Sequence, residues 1–71
     1  MKQILVLKTS LAARSDVEKA AKLLDSHIQI IEWNVDLEDC DRVLRVECIG
    51  LTEADIVEIL NWLGYEADKL Y

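Results

Sequence analysis

The feature that most constrains the fold is a pair of alternating segments in the middle of the chain, residues 28–37 and 42–49. In both segments apolar and polar side chains alternate, as they do in a β-strand that has one face against a core. Only residues 38–41 separate the two segments, and two of these four are aspartates, which favour turns. Two alternating runs joined by so short a connection predict an antiparallel β-hairpin.

The alternation also predicts which hairpin side chains face the core. Ile28 and Ile30 are out of phase with the apolar positions that follow them, so we expect a β-bulge or a late strand start near Ile31. The side chains expected to point inward are Ile31, Trp33, Val35 and Leu37 in the first strand and Leu44, Val46 and Cys48 in the second.

Two further segments precede the hairpin. In residues 2–8 apolar side chains occupy both odd and even positions, which indicates a central strand. Either Ile4 and Val6 or Leu5 and Leu7 then face away from the core. Residues 11–26 carry apolar side chains at helical spacing. Ser10 could cap this helix, and so could Ser15, since Ser15-Asp16-Val17-Glu18 fits a capping box.

A second helix follows the hairpin. Gly50 ends the preceding strand, and Thr52 with the acidic residues after it is typical of a helix start. Gly64 suits the left-handed position beyond a helix end. Residues 66–71 fit either a brief edge strand or a frayed tail. The expected buried stripe of the helix is Ile56, Ile59, Leu60 and Leu63.

The order of elements is therefore β-α-β-β-α with a possible last strand. A strand–helix–strand crossover is nearly always right-handed, and two helices must cover one face of the sheet. A ferredoxin-like α/β (α+β) sandwich, formed by residues 1–71 as a single domain, satisfies both conditions. In this topology the turn after the first strand, the hairpin tip and the Gly64–Tyr65 corner lie at one end. His27, Cys48 and Gly50 lie at the other.

The charge balance restricts the partners. Lys and Arg number 8 against 14 Asp and Glu, which gives a net charge of −6. Nucleic acids and anionic membranes require a cationic face, so we expect neither, and a basic protein is the better electrostatic match. The sequence has no apolar run of about 18 residues and no signal-peptide pattern, and we expect a cytoplasmic protein.

The residues that could carry chemistry are few. Cys40 and Cys48 are eight positions apart, roughly 26 Å along an extended strand at ~3.3 Å per residue, which is too far for a disulfide. One histidine and two separated thiols form no nucleophile–base pair, so we expect no enzyme. Carboxylates that catalyse need a desolvated pocket, which a short hairpin tip does not offer to Glu38, Asp39 and Asp41.

Several short motifs resemble the heavy-metal-associated (HMA) family, the module of copper chaperones and metal-transporting ATPase tails. The resemblance covers nearly the whole chain, and the ending around Gly64 is its sharpest match. It implies the same ferredoxin-like fold and a Met-x-Cys-x-x-Cys metal motif at the first strand-to-helix turn. The matching segments are Val17-Glu18-Lys19-Ala20, Val35-Asp36-Leu37, Leu44-Arg45-Val46 and Leu63-Gly64-Tyr65-Glu66.

The metal motif itself is where the sequence departs from the family. Alignment on Val17-Glu18 places Lys8 at the methionine and Ser10 and Ala13 at the two cysteines. Thiolates bind Cu(I) and Zn(II) well, whereas a serine hydroxyl is a poor ligand for either ion and an alanine methyl is none. We therefore expect no metal or other cofactor at this turn.

These observations predict a non-catalytic HMA-like module for protein interaction or regulation. Its partner would be a basic protein bound through Glu38, Asp39, Asp41 and Tyr65, or a second copy bound through the open sheet face near Val43 and Ile49. The first alternative is a Cu(I) or Zn(II) chaperone that uses Cys40 or a site shared between copies. The second alternative is a small-molecule sensor.

Overall fold

The computed structural model describes residues 1–70 and contains four strands and two helices. Their order, β-α-β-β-α-β, is that of the ferredoxin-like fold, so the predicted fold class is confirmed. The elements are β1 (Lys2–Thr9), α1 (Arg14–Leu24), β2 (Ile30–Asp36), β3 (Val43–Ile49), α2 (Glu53–Trp62) and β4 (Ala67–Lys69).

The strands form one antiparallel sheet in the order β2-β3-β1-β4. The predicted hairpin is the β2–β3 pair, in which Trp33 lies opposite Val46 and Val35 opposite Leu44. The alternatives left open for residues 66–71 are decided in favour of an edge strand at Ala67–Lys69, which pairs with the end of β1. Tyr71 lies outside the described residues.

The core lies between one face of the sheet and the two helices. In β1, Leu5 and Leu7 face the core and are buried, whereas Ile4 lies on the outer face and is 59% exposed. The predicted inward positions of β3 are fully buried. The buried side chains are Leu5, Leu7, Leu11, Ala20, Leu24, Leu44, Val46, Cys48, Ile56 and Leu60.

A β-bulge interrupts β2, as the phase change predicted. The pairing register shifts between Ile30 and Glu32. Ile30 lies opposite Cys48 and packs against the core, whereas Ile31 is 51% exposed. The prediction that Ile31 points inward was wrong, because the bulge leaves it outside the regular pairing and Ile30 takes the core-facing position.

The start of α1 also differs from the prediction. The helix spans Arg14–Leu24, not residues 11–26, and its N-cap is Ala13. Neither Ser10 nor Ser15 caps it. The Asp16 carboxylate instead fixes the residues before the helix, because its Oδ2 accepts hydrogen bonds from the backbone N–H groups of Ala12 (3.1 Å) and Ala13 (3.0 Å).

The start of α2 agrees with the prediction. The Thr52 hydroxyl accepts a hydrogen bond from the Asp55 N–H (3.4 Å), and the Asp55 carboxylate accepts one from the Thr52 N–H (2.8 Å). The helix ends before Gly64, whose φ of +87° explains the glycine, since other residues rarely adopt this angle.

Replacing Thr52 with alanine is expected to lower the free energy of unfolding by about 1 kcal/mol, because it removes an N-cap acceptor. The matched control is Ser15→Ala, for which we expect a change within about 0.5 kcal/mol, since Ser15 caps nothing. Both values follow from urea unfolding of the two variants. Equal losses would show that Thr52 is not the cap that matters.

Candidate functional site

Three connections meet at one end of the molecule, which we call the loop end. It comprises residues 10–13 between β1 and α1, residues 37–42 between β2 and β3, and residues 64–66 between α2 and β4. The Thr9 N–H donates to the Asp41 carbonyl (3.0 Å), and the Ser10 N–H donates to the Glu66 carbonyl (2.9 Å). The structure therefore joins the three connections that the topology predicted to be neighbours.

The positions that align with the metal motif of HMA domains lie at this end. Lys8 and Ser10 are exposed and line the same shallow cleft, and Ala13 is exposed at the mouth of α1. The Ser10 hydroxyl accepts a hydrogen bond from the Glu66 N–H (2.8 Å). The Ser10 side chain therefore links the connection between β1 and α1 to the connection between α2 and β4.

Tyr65 faces the same turn, as expected, and reaches Asp16. Its hydroxyl donates to Asp16 Oδ1 at 2.7 Å. This bond, together with the backbone N–H groups of Ala12 and Ala13, holds the pKa of the Asp16 carboxyl below its ordinary value of 3.8. The same bond, by stabilising the protonated phenol, raises the pKa of Tyr65 above 10.0.

Arg42 is a residue that the sequence did not single out. Its backbone has a φ of +47°, and its carbonyl accepts a hydrogen bond from the Thr9 hydroxyl (2.6 Å). Its guanidinium donates to the carbonyls of Leu37 (2.9 Å) and Ala12 (3.3 Å). One side chain therefore ties the hairpin tip to the mouth of α1.

The hairpin tip brings together three groups that could hold a metal ion. One ligand atom from each of Asp39, Cys40 and Asp41 lies within 4.8 Å of the other two. Cys40 and Asp41 are exposed, and both line the cleft that Ser10 lines. The fourth predicted tip residue, Glu38, is exposed and does not belong to this cluster.

The remaining singled-out residues lie away from the loop end. Cys48 is fully buried in the core, as predicted, and this burial raises the pKa of its thiol. Trp33 is partly buried, and its indole Nε1 donates to Asp25 (2.8 Å). Trp62 is 81% exposed on α2.

Two solved structures match this arrangement over nearly their whole length. The CsoZ metallochaperone superimposes with a TM-score of 0.81 at 14% identity, over 96% of this chain and 99% of the other. Oxidized MerP from Ralstonia metallidurans CH34 superimposes with a TM-score of 0.83 at 12% identity, over 100% of each chain. The chain has the ferredoxin-like fold of these two proteins. Neither a protein-family model nor a curated protein sequence matches it.

This fold agrees with the resemblance to HMA domains seen in the sequence. The loop end is the part of this fold to which that resemblance assigns the metal motif, and here it carries Ser10 and Ala13 at the two cysteine positions. None of the helices within residues 1–70 is long and apolar enough to span a membrane.

The contact between Tyr65 and Asp16 makes the stability of the loop end depend on pH. The lowered pKa of Asp16 stabilises the fold above pH 3.8, and this contribution is lost as pH falls through the folded value. The raised pKa of Tyr65 stabilises the fold below pH 10.0, and this contribution is lost as pH rises through the folded value.

Tyr65→Phe is therefore expected to lower the midpoint of guanidinium unfolding most between about pH 5 and pH 9. The difference from the unmodified protein should shrink in stronger acid and in stronger base. Unfolding curves in a series of buffers measure it. A difference that is the same in acid, neutral and alkaline buffer would assign the effect to ring packing and not to the hydrogen bond.

Proposed function

We propose that the chain is a non-catalytic binding module in which the loop end recognises a basic protein partner and does not transfer a metal through residues 10–13. The observation that carries this proposal is the internal hydrogen bonding of the loop end. Ser10 binds Glu66, Asp16 binds Ala12 and Ala13, and Tyr65 binds Asp16. The side chains of Ser10, Asp16 and Tyr65 are therefore already partnered, and no thiol stands among residues 10–13.

The charges around the cleft favour a basic partner. The carboxylates of Asp41, Glu66 and Asp68 line it against the single cation of Lys8. With a net charge of −6 on the whole chain, this surface would accelerate the approach of a cationic protein and disfavour acidic ones.

An NMR titration with an oligolysine peptide tests the proposal. We expect shift changes at the loop end, and several-fold weaker binding after Glu38→Gln combined with Asp41→Asn. The matched control combines Glu18→Gln with Glu32→Gln, which removes the same charge from exposed positions elsewhere. Equal weakening by both pairs would mean that only net charge matters, and would contradict recognition at the loop end.

A second candidate function is metal transport, favoured by the cluster of Asp39, Cys40 and Asp41. One thiolate and two carboxylates suit Zn(II) better than Cu(I), which prefers soft sulfur ligands. The likeness to the CsoZ metallochaperone supports this candidate at the level of fold.

Titration of the reduced protein with Zn(II) and Cu(I) against a competing chelator separates the two functions. If the chain recognises proteins without carrying metal, the chelator should remove both ions completely. Stoichiometric Zn(II) that is retained by the Glu38→Gln control and lost after Cys40→Ser would instead establish the carrier.

A further inference from the structure

A groove runs between the C-terminal turn of α1 and the outward side of α2. Its volume is about 620 Å³, within the range of ~300–1,000 Å³ that is usual for binding pockets. Its apolar lining comes from both helices and from the connection before α2, namely Leu23, Leu51, Ile59, Trp62 and Leu63. No residue of the loop end lines it.

The outward side of α2 is more apolar than the fold requires. Ile56 and Leu60 are the fully buried residues of this helix and face the core. Ile59, which also packs against the core, and Trp62 are three positions apart and both line the groove. Trp62 is 81% exposed there, and tryptophan is among the residues that contribute most to binding when a partner covers it.

The charged residues of the groove are all acidic. Asp55 and Glu58 line it beside the polar side chains of His27 and Gln29, and no lysine or arginine does so in the part of the chain that the structure describes. The Asp55 carboxylate already accepts hydrogen bonds from Thr52. Glu58 is exposed, and the one ion pair within residues 1–70 is elsewhere, between Lys2 and Glu47. The negative charge of Glu58 is therefore available to a ligand.

We propose that this groove docks a short basic and apolar peptide segment of a partner protein. An apolar side chain of the segment covers Ile59 and Trp62, and a lysine or arginine beside it pairs with Glu58. This surface is separate from the loop end, so the proposal stands independently of the function proposed there.

Charge and burial favour this occupant over two others. A second copy of the chain would bring another Glu58 and another net charge of −6 against the first. A small-molecule site usually encloses most of its ligand, whereas this groove is bordered by Trp62, which is 81% exposed. A cationic segment with one apolar side chain complements both the apolar lining of the groove and the negative charge of Glu58.

The test uses three peptides of equal length. The first alternates leucine and lysine with helical periodicity, the second replaces every lysine with glutamate, and the third replaces every leucine with serine. Binding is followed by the NMR shifts of the groove residues Leu23 and Ile59 and of the Trp62 indole N–H. We expect only the leucine–lysine peptide to bind in the groove.

Variants of exposed residues locate the contact without disturbing the core. Trp62→Ala is expected to weaken binding at least about tenfold, and Glu58→Gln several-fold. Glu32→Gln is the matched control, since it removes the same charge from an exposed position on β2 and should leave groove binding unchanged. Circular dichroism confirms that each variant is folded.

The proposal is overturned if the serine–lysine peptide binds as tightly as the leucine–lysine peptide, because attraction would then be purely electrostatic. Equal binding of the glutamate peptide, or unchanged binding after Trp62→Ala, overturns it as well. Concentration-dependent association that buries Trp62 would assign the groove to a second copy. Shift changes confined to residues 37–42 would refute the groove while leaving the function of the loop end untouched.

Discussion

Replacing Leu60 with alanine is expected to lower the free energy of unfolding by about 2–5 kcal/mol, because Leu60 is fully buried and its truncation leaves a cavity. A chain of 71 residues has a total stability of about 4–11 kcal/mol at ~0.05–0.15 kcal/mol per residue. This one substitution therefore removes a large share of the stability. Urea unfolding followed by circular dichroism measures the loss.

Trp62 provides the matched control on the same helix. Tryptophan is the larger side chain, yet Trp62 is 81% exposed, so Trp62→Ala should change the free energy of unfolding by less than about 1 kcal/mol. Comparable losses at the two positions would mean that α2 packs against the sheet with a different side from the one described.

Introducing two cysteines just before α1 is expected to produce the largest functional change. Combining Ser10→Cys with Ala13→Cys places two thiols at the positions that resemble the family's metal motif, and two thiolates favour Cu(I). Because the second thiolate binds within the same molecule, affinity should exceed that of either single variant by about 10²–10⁴-fold. Competition with a Cu(I) chelator under reducing conditions measures it.

Cys40 must be removed from this comparison, since it lines the same cleft as Ser10. The double and single variants are therefore made in a Cys40→Ser background. If the double variant binds Cu(I) no more tightly than Ser10→Cys alone, the correspondence between residues 10–13 and the metal motif is wrong.

Much of the fold follows from local patterns. The alternation of Leu44, Val46 and Cys48 correctly predicts the buried face of β3 because a strand reverses its side chains at every residue. Thr52 and Gly64 correctly predict the ends of α2, because an N-cap hydroxyl and a positive φ have few substitutes. The neighbouring positions of the three loops also follow, since the topology alone dictates them.

The details of the loop end depend on contacts that no local pattern encodes. Tyr65 and Asp16 are 49 positions apart, and the Asp16 carboxylate also binds the N–H groups just before α1, where Ser10 and Ser15 were the expected caps. An N-cap contributes only about 1 kcal/mol, which is no more than one hydrogen bond to a distant residue contributes. The positive φ of Arg42 could not be predicted from the sequence either, because arginine rarely adopts such an angle.

The bulge in β2 affects how this sheet meets other sheets. β2 is one edge of the sheet, and the unpaired backbone groups along an edge invite a strand from another molecule. The register shift between Ile30 and Glu32 breaks the regular spacing of those groups. β4, the other edge, has only three residues. Neither edge strand is a good template for pairing with a strand of another molecule. The two edges therefore disfavour aggregation into extended sheets despite the exposed isoleucines.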